Sequence, residues 1–323
     1  MLRLPDAWTW DFWIADDGET YHLFYLKASR ALGDPERRHW NAAIGHAVSG
    51  DLTTWEEVAD ALVPSEAGAF DDLSTWTGSI VRTGDGTWAM FYTGAGSAEG
   101  GLKQRIGLAT SADLDTWHRV PGPVAEADPA WYETLPDIEW HDEAWRDPWV
   151  FADPGGDGWH MLITARAADG PGDERGVLGH AVSPDLRTWR VRPPLSRPGS
   201  GFGHLEVPQV EIVDGRAVLL FSCLGAQLAH GRAERGERGG TWCVPVDSPT
   251  GPFDVTRAER LTDESLYSGR LVRARDGRWM FLAFRNAGPD GRFVGEVTDP
   301  VPVRWAEDGS RLVLDGDAVP SAR

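Results

Sequence analysis

The sequence predicts an all-β fold, a five-bladed β-propeller with four antiparallel strands in each blade. Two internal repeats carry this prediction: an Asp-Gly turn that occurs five times and a Ser-x-Asp-Leu-x-Thr-Trp segment that occurs three times. A third observation is that helical periodicity is weak along the whole chain. Together they indicate one propeller domain over residues 1–323, in which the first strand of each blade lines the central channel.

The first repeat is a turn followed by a run of strand-forming residues. Its five Asp-Gly pairs are Asp17-Gly18, Asp85-Gly86, Asp157-Gly158, Asp214-Gly215 and Asp276-Gly277. Asp-Gly is a strong hairpin signal, because glycine takes the positive φ angle of a tight turn at little steric cost. The glycines are 68, 72, 57 and 62 residues apart. This spacing is too long for one hairpin and fits a four-stranded sheet with its loops.

The second repeat lies between these turns. It reads IGHAVSGDLTTW from Ile44, IGLATSADLDTW from Ile106 and LGHAVSPDLRTW from Leu178. The alternating first half predicts a strand, and the Ser-x-Asp portion predicts a turn, because Ser and Asp side chains bond to nearby backbone. The fourth copy has Phe253 in place of the tryptophan. Each blade therefore holds two hairpins. A β-sandwich is the alternative fold, but it does not need a fivefold repeat.

The composition excludes several classes of partner. Fifty acidic residues against 31 basic ones give a formal charge of −19, which disfavours nucleic acid and anionic membranes as partners. No run of 18 apolar residues predicts a membrane span, and no signal-peptide pattern opens the chain, so we expect a cytoplasmic protein. The sequence does not indicate an oligomeric state.

Neither a metal nor an organic cofactor is expected. The two cysteines, Cys223 and Cys243, are too few for a disulfide framework or a cysteine-based zinc site, and we expect free thiols. No glycine-rich phosphate loop opens a helix. Four histidines lie in strand patterns and are expected to be packing residues rather than ligands: His22, His46, His160 and His180.

Three of the five predicted inner strands carry an acid among apolar and aromatic residues. These acids are Asp11, Asp147 and Glu206. A carboxylate removed from water must be paired or hydrogen-bonded, so acids on channel strands suggest a function. Glycoside cleavage needs such a set, in which one carboxylic acid protonates the leaving oxygen and one carboxylate attacks the anomeric carbon or activates water. We therefore predict that these three are the catalytic residues and that the partner is a small carbohydrate.

Residues beside the acids are candidates for sugar binding. Aromatic rings can stack on a sugar, and polar groups can bond its hydroxyls. The predicted substrate-binding residues are Trp10, Trp76, Ser79, Arg146, His204 and Tyr267. His204 is included because it lies two residues from Glu206 on a predicted strand. Arg270 is a further basic residue that could bind a hydroxyl or orient an acid.

At these positions the sequence resembles the fructosidases and fructosyltransferases of glycoside hydrolase families 32 and 68. Trp-Asp-Phe-Trp at 10–13 is similar to their levansucrase-type Trp-Asp-x-Trp, and Trp-Thr-Gly-Ser at 76–79 to Trp-Ser-Gly-Ser. Arg-Asp-Pro at 146–148 matches their Arg-Asp-Pro, and Glu-Val-Pro at 206–208 resembles Glu-Cys-Pro or Glu-Arg-Pro. Tyr-Ser at 267–268 resembles the fifth-blade aromatic segment. The resemblance implies Asp11 as nucleophile, Asp147 as transition-state stabiliser and Glu206 as acid/base, with retention of configuration on a β-fructofuranoside.

The sequence departs from that pattern in three places. The invertase-type Asn-Asp-Pro-Asn-Gly is absent, Val207 follows the acid/base candidate, and too little chain follows the fifth blade for the invertase C-terminal β-sandwich. An inverting arabinanase or xylosidase of the family 43 type is the first alternative, and a closely spaced Asp11–Glu206 pair would argue against it. The second alternative is a non-catalytic glycan-binding propeller, which would not need all three acids.

Overall fold

Five four-stranded antiparallel sheets form the protein, as seen in a computed structural model that describes residues 1–156 and 158–315. In every sheet the four strands follow one another in chain order. Consecutive sheets contact through their first strands, and the fifth sheet contacts the first, which closes a ring of five blades. The predicted five-bladed propeller is therefore confirmed. Asp157 of the third Asp-Gly pair and residues 316–323 lie outside the described residues.

The strands of blades one and two are β1 (Ala7–Asp16), β2 (Tyr21–Ser29), β3 (Ala43–Ser49), β4 (Glu56–Glu57), β5 (Ser74–Arg82), β6 (Trp88–Ala95), β7 (Gln104–Ser111) and β8 (His118–Arg119). Those of blades three and four are β9 (Trp145–Ala152), β10 (Trp159–Arg166), β11 (Gly176–Ser183), β12 (Arg190–Arg192), β13 (Glu206–Val213), β14 (Arg216–Cys223), β15 (Gly240–Pro245) and β16 (Glu259–Arg260). Blade five contains β17 (Leu266–Arg273), β18 (Trp279–Arg285), β19 (Val301–Trp305) and β20 (Leu312–Leu314).

Helices are short and lie in loops. The α-helix among the described residues is α1 (His230–Glu234). The 3₁₀ turns are Arg30–Leu32, Pro35–Asn41, Ser97–Glu99, Leu135–Asp137, Gly172–Glu174, Gly225–Gln227 and Val255–Arg257. Among the described residues, no helix combines the length and apolar character needed to cross a bilayer.

The second repeat forms the predicted turn after the third strand of a blade. In the first copy the Ser49 hydroxyl accepts the Leu52 N–H at 3.0 Å, and Asp51 accepts the Thr54 N–H at 2.7 Å. The leucine takes a positive φ in all three copies, at 65°, 66° and 64° for Leu52, Leu114 and Leu186. The Ser and Asp bonds hold this conformation, which a side chain other than glycine seldom adopts.

The core lies between the blades. Where blades three and four meet, Leu162 and Leu178 pack with Leu219 and Phe221. The N-terminal segment seals the joint between the first and last blades, because Leu2 forms an antiparallel bridge with Val297. Cys223 and Cys243 are buried and form no disulfide, as expected.

The five inner strands, β1, β5, β9, β13 and β17, share one irregularity. Each has a register shift in its pairing with the next strand, at the same height in the blade. A bulge of this kind re-aims the side chains next to it. In four strands a residue other than glycine takes a positive φ there: Asp11 (31°), Asp147 (57°), Val207 (51°) and Ser268 (51°).

Candidate active site

The bulges place a ring of five residue pairs at one end of the channel. The pairs are Trp10-Asp11, Trp76-Thr77, Arg146-Asp147, Glu206-Val207 and Tyr267-Ser268. Because consecutive strand residues normally face opposite sides, two neighbours could not both face one cavity without such a distortion. Backbone strain of this kind tends to occur at functional sites.

All of these residues except Ser268 line a cavity of about 750 Å³. All three predicted catalytic acids line it, and so do four of the six predicted substrate-binding residues: Trp10, Trp76, Arg146 and Tyr267. The first residue of every pair is therefore one that the sequence analysis selected. The cavity has the size of a small-molecule site.

Asp11 is held by hydroxyl groups from both neighbouring blades. Thr77 donates to its Oδ2 at 2.7 Å, and Ser268 donates to its Oδ1. Both carboxylate oxygens are thus fixed, and no cationic side chain among the described residues forms an ion pair with them. Burial raises the pKa of Asp11, against the lowering effect of these two hydroxyl groups.

Asp147 is bound by donors from the neighbouring strands. Thr164 donates to its Oδ2 at 2.8 Å, the Val207 N–H donates to the same oxygen at 3.2 Å, and its own N–H bonds the Thr93 hydroxyl at 2.9 Å. Burial raises the pKa of Asp147 to about 6, and the charges of Asp11 and Glu206 add to this while Arg146 opposes it.

Glu206 is the ion-paired carboxylate of the three. Arg146 donates to its Oε1 at 2.6 Å, and the Tyr267 hydroxyl donates to its Oε2 at 2.5 Å. Burial acts to raise the pKa of Glu206, but the nearby His204 ring and the Arg146 charge outweigh burial and hold it below its ordinary value. In the free site, a proton therefore resides more readily on the aspartates than on Glu206.

Arg146 connects several cavity groups. Besides Glu206, its guanidinium bonds the Gln104 side chain at 3.0 Å and lies 3.5 Å from Asp142 and 3.7 Å from Asp147. Two of the three predicted catalytic acids, Asp147 and Glu206, thus share one cation with Asp142. The net negative charge of the cavity is consistent with a neutral substrate rather than an anionic one.

Two predicted substrate-binding residues do not line the cavity. Ser79 is buried, and its hydroxyl accepts the Val150 N–H at 3.0 Å, so it joins two inner strands instead of facing a ligand. His204 is also fully buried and lies just before β13 rather than on it. Its Nδ1 lies 3.1 Å from Arg146 and 3.6 Å from Glu206. The imidazole therefore contacts both members of the ion pair from outside the cavity.

Several cavity residues were missed by sequence reasoning. The most prominent are Arg38, His39 and Trp40, which follow β2 in the 3₁₀ turn Pro35–Asn41. The guanidinium of Arg38 lies 3.9 Å from the centre of the Phe293 ring. The available signal was the run Arg-Arg-His-Trp at 37–40, which has no counterpart in the other copies of the repeat. Others come from loops: Glu36, Leu102, His141, Asp142, Gln227 and Asn286.

One cluster outside the cavity has residue types that bind metals. Donor atoms of His22, His46 and Asp115 lie within 4.8 Å of one another. However, His22 Nδ1 and His46 Nε2 are 3.0 Å apart with the rings 20° from parallel, as in a direct hydrogen bond. His160 and His180 repeat this arrangement at 3.0 Å in blade three. A hydrogen bond between the two imidazole rings accounts for the close approach in both pairs.

Comparison with known families gives a match over most of the chain. The family model described as glycosyl hydrolases family 32 N-terminal domain matches residues 13–286. This range contains Asp147 and Glu206 and begins two residues after Asp11.

Curated relatives agree with that match. The chain is 31% identical over 198 residues to the insoluble isoenzyme CWINV6, a β-fructofuranosidase of Arabidopsis thaliana, covering 58% of this chain and 32% of the relative. It is 27% identical over 280 residues to a sucrose-6-phosphate hydrolase of Zymomonas mobilis, covering 82% of this chain and 50% of the relative. The chain thus spans 32% and 50% of the length of these two relatives.

Solved structures share the fold. An inulosucrase from Halalkalicoccus jeotgali bound to kestose superposes with a TM-score of 0.75 at 22% identity, covering 98% of this chain and 90% of the other. Bacillus subtilis levansucrase superposes with a TM-score of 0.73 at 16% identity, covering 97% and 87%.

Proposed function

Since this chain belongs to glycosyl hydrolase family 32, we propose that it cleaves or transfers a β-fructofuranosyl unit with retention of configuration. The observation that carries the proposal is the convergence of Asp11, Asp147 and Glu206 from three blades on one cavity. The printed names of its relatives, β-fructofuranosidase and sucrose-6-phosphate hydrolase, support a fructofuranoside substrate.

In the first proposed step, Asp11 attacks the anomeric carbon of the fructosyl unit. A bond forms between this carbon and a carboxylate oxygen of Asp11 while the glycosidic bond breaks. Glu206 gives its proton to the leaving oxygen, and Asp147 stabilises the positive charge that develops on the ring. Thr77 and Ser268 hold the attacking carboxylate in place, which reduces the reorganisation needed to reach the transition state.

In the second step, Glu206 takes a proton from water or from a sugar hydroxyl. The resulting oxygen nucleophile attacks the anomeric carbon and releases Asp11. Water gives hydrolysis, and a sugar gives transfer. The two outcomes share the intermediate and the residues, so they differ in which acceptor reaches the site first.

This route requires a proton to change position when substrate binds. In the free site, the pKa of Asp147 is raised to about 6, that of Asp11 is raised, and that of Glu206 is lowered. The acid role needs the opposite order. We propose that sugar hydroxyls replace Glu206 as partners of Arg146 and Tyr267, which removes two of the groups that favour the ionised glutamate.

Sugar release from a small panel tests the proposal. Purified protein is incubated with sucrose, inulin, levan, arabinan, xylo-oligosaccharides and nitrophenyl furanosides, with Glu206→Gln measured in parallel. We expect fructose from at least one β-fructofuranoside and a loss of about 10³-fold in the variant. Adding an acceptor sugar separates transfer from hydrolysis. Release of arabinose or xylose without fructose would overturn the proposal.

A further inference from the structure

Arg270 is a buried cation beneath the cavity that the proposed chemistry does not use. It lies on β17, two residues after the bulge at Ser268, and is 2% exposed. It does not line the cavity, so it is not in a position to bind a sugar. An arginine buried this deeply needs partners for its charge and its donors.

Its partners are backbone carbonyl groups next to two of the catalytic acids. Nε donates to the Phe12 oxygen at 3.1 Å, and Nη1 donates to the Pro208 oxygen at 2.9 Å and the Val207 oxygen at 3.4 Å. Phe12 follows Asp11, and Val207 and Pro208 follow Glu206. One side chain from blade five thus bonds the inner strands of blades one and four, one or two residues after their catalytic acids.

The guanidinium also stacks on the ring of Trp149, which lies on the inner strand of blade three. Its central carbon lies 5.0 Å from the centre of the Trp149 ring, two residues after Asp147. Its Nη2 is buried and has no hydrogen-bond partner among the described residues. The charge is therefore incompletely compensated by hydrogen bonds, although it lies close to the three strands that carry the acids.

We propose that Arg270 is a positioning residue of this site. It fixes the spacing of Asp11 and Glu206 through the carbonyl groups that follow them and places a positive charge beneath Asp11 and Asp147. This inference rests on the function proposed above. A planar guanidinium suits the role because its donors have fixed directions, whereas a lysine ammonium offers one movable point charge.

Charges from four inner strands act on this part of the site. Asp11, Asp147 and Glu211 all favour the charged form of Arg270, although burial, the larger effect, lowers its pKa to about 10. Arg270 in turn favours the ionised form of Asp11. The other charged or titratable groups that act on these aspartates or on Glu206 include Arg38, His39, Arg146, His204, Cys223 and Tyr267. Arg270 is the basic group among them that contacts backbone on both β1 and β13.

Two variants of Arg270 test the proposal, and Arg232→Met is the control. Arg270→Met removes the charge and the hydrogen-bond donors. Arg270→Lys keeps the charge but lacks the planar arrangement of guanidinium donors. Arg232 is also buried, bonds the Ser200 and Thr256 carbonyls, pairs with Glu237 at 2.6 Å and lies 5.3 Å from the Trp242 ring centre. None of these partners is on an inner strand. Thermal unfolding establishes first that each variant is folded, and kcat and KM are then measured from pH 4 to 8.

For Arg270→Met we expect kcat to fall about 100-fold with KM changed only a few-fold, because the reacting groups are misplaced. The acid limb of its pH profile should move up by about one pH unit, because a cation favouring ionised aspartates is lost. Arg270→Lys should keep the wild-type acid limb and lose about 10-fold in kcat. Arg232→Met should keep the wild-type profile.

A folded Arg270→Met protein with the wild-type acid limb would overturn the proposal. If Arg270→Met does not fold, a wild-type kcat in Arg270→Lys would overturn the proposal, because the planar guanidinium donors would then be dispensable. Carboxyl ¹³C titration of Asp11 and Asp147, assigned with the D11N and D147N variants, gives the same test without turnover. An inactive wild-type protein would therefore contradict the proposed function, while the titration would still decide the role of Arg270.

Discussion

Glu206 has a different environment from the two aspartates that share its cavity. Its oxygens accept from Arg146 and Tyr267, whereas Asp11 and Asp147 accept mainly from neutral donors. Unequal environments are how a site assigns different protonation roles to chemically similar groups. In the free protein Glu206 is the group that favours the ionised form. Substrate binding would have to transfer a proton to Glu206 before it could act as the acid.

The acid role of Glu206 predicts a dependence on the leaving group. Glu206→Gln should lose about 10³-fold on sucrose but much less on a nitrophenyl fructofuranoside, whose leaving group departs without protonation. Asp11→Asn should lose activity on both, because the attacking oxygen is gone. The test is kcat/KM on the two substrates, because this ratio reports the first step and excludes the second step, in which Glu206 acts as base. Equal losses on both substrates for Glu206→Gln would contradict the acid role.

The buried carboxylate of Asp147 should lower stability at neutral pH. A folded-state pKa of about 6 lies above the ordinary 3.8, so ionising this group costs more in the folded than in the unfolded protein. Stability is therefore lost as pH rises from about 4 to about 6. Asp147→Asn avoids this cost and should gain up to about 3 kcal/mol at pH 7, and nothing below pH 4.

Urea unfolding of both proteins across this pH range measures the difference. Asp71→Asn is the matched control, because Asp71 is equally buried but bonded by Arg119 at 3.0 Å and Tyr92 at 2.8 Å. The control should lose stability at pH 7. A loss of stability in Asp147→Asn at pH 7 would show that its ionised form is compensated.

At the scale of the element, the inner-strand bulge determines what the cavity contains. The strands, their order and their turns could be predicted from the two repeats, since hairpin chemistry is local. The bulges could not, because they depend on pairing with the next strand. This is why Ser79 was expected in the cavity and Thr77 was not: the bulge at Trp76–Gly78 changes which residues face inward.

Gly78 should be required by the bulge of blade two. A Cβ atom there would lie 2.1 Å from the Phe91 backbone oxygen, while one at Gly84 would meet nothing within 4 Å. Gly78→Ala should cost about 3 kcal/mol and also lower kcat, because Thr77 beside it holds Asp11. Gly84→Ala should change neither quantity. Chemical unfolding and kcat measurements on both variants test this prediction. Wild-type stability in Gly78→Ala would contradict the bulge geometry.

At the scale of the whole molecule, each acid comes from a different blade, so the site depends on closure of the ring. The order of the three acids along the blades could be predicted from the sequence. The loop residues could not, because Arg38 and His39 enter the cavity from an irregular segment that no repeat describes. The support given by His204 and Arg270 was also hidden, since it depends on contacts between blades.

Closure should depend on the N-terminal segment. Leu2 is 4% exposed and bridges Val297 in blade five. Leu2→Ala should lower the free energy of unfolding by about 2 to 3 kcal/mol, while Val63→Ala, at a position 52% exposed, should change it by less than about 0.5 kcal/mol. Urea denaturation of both variants is the measurement. Equal stabilities would indicate that the bridge contributes little to closing the ring.

The central claim is that Asp11 and Glu206 act by double displacement on a β-fructofuranoside. It is tested most directly by carrying out the reaction with the best substrate of the panel in aqueous methanol and identifying the first methyl fructoside by NMR. The account predicts methyl β-fructofuranoside, because two inversions at one carbon restore the original configuration. The α anomer as the first product would contradict it.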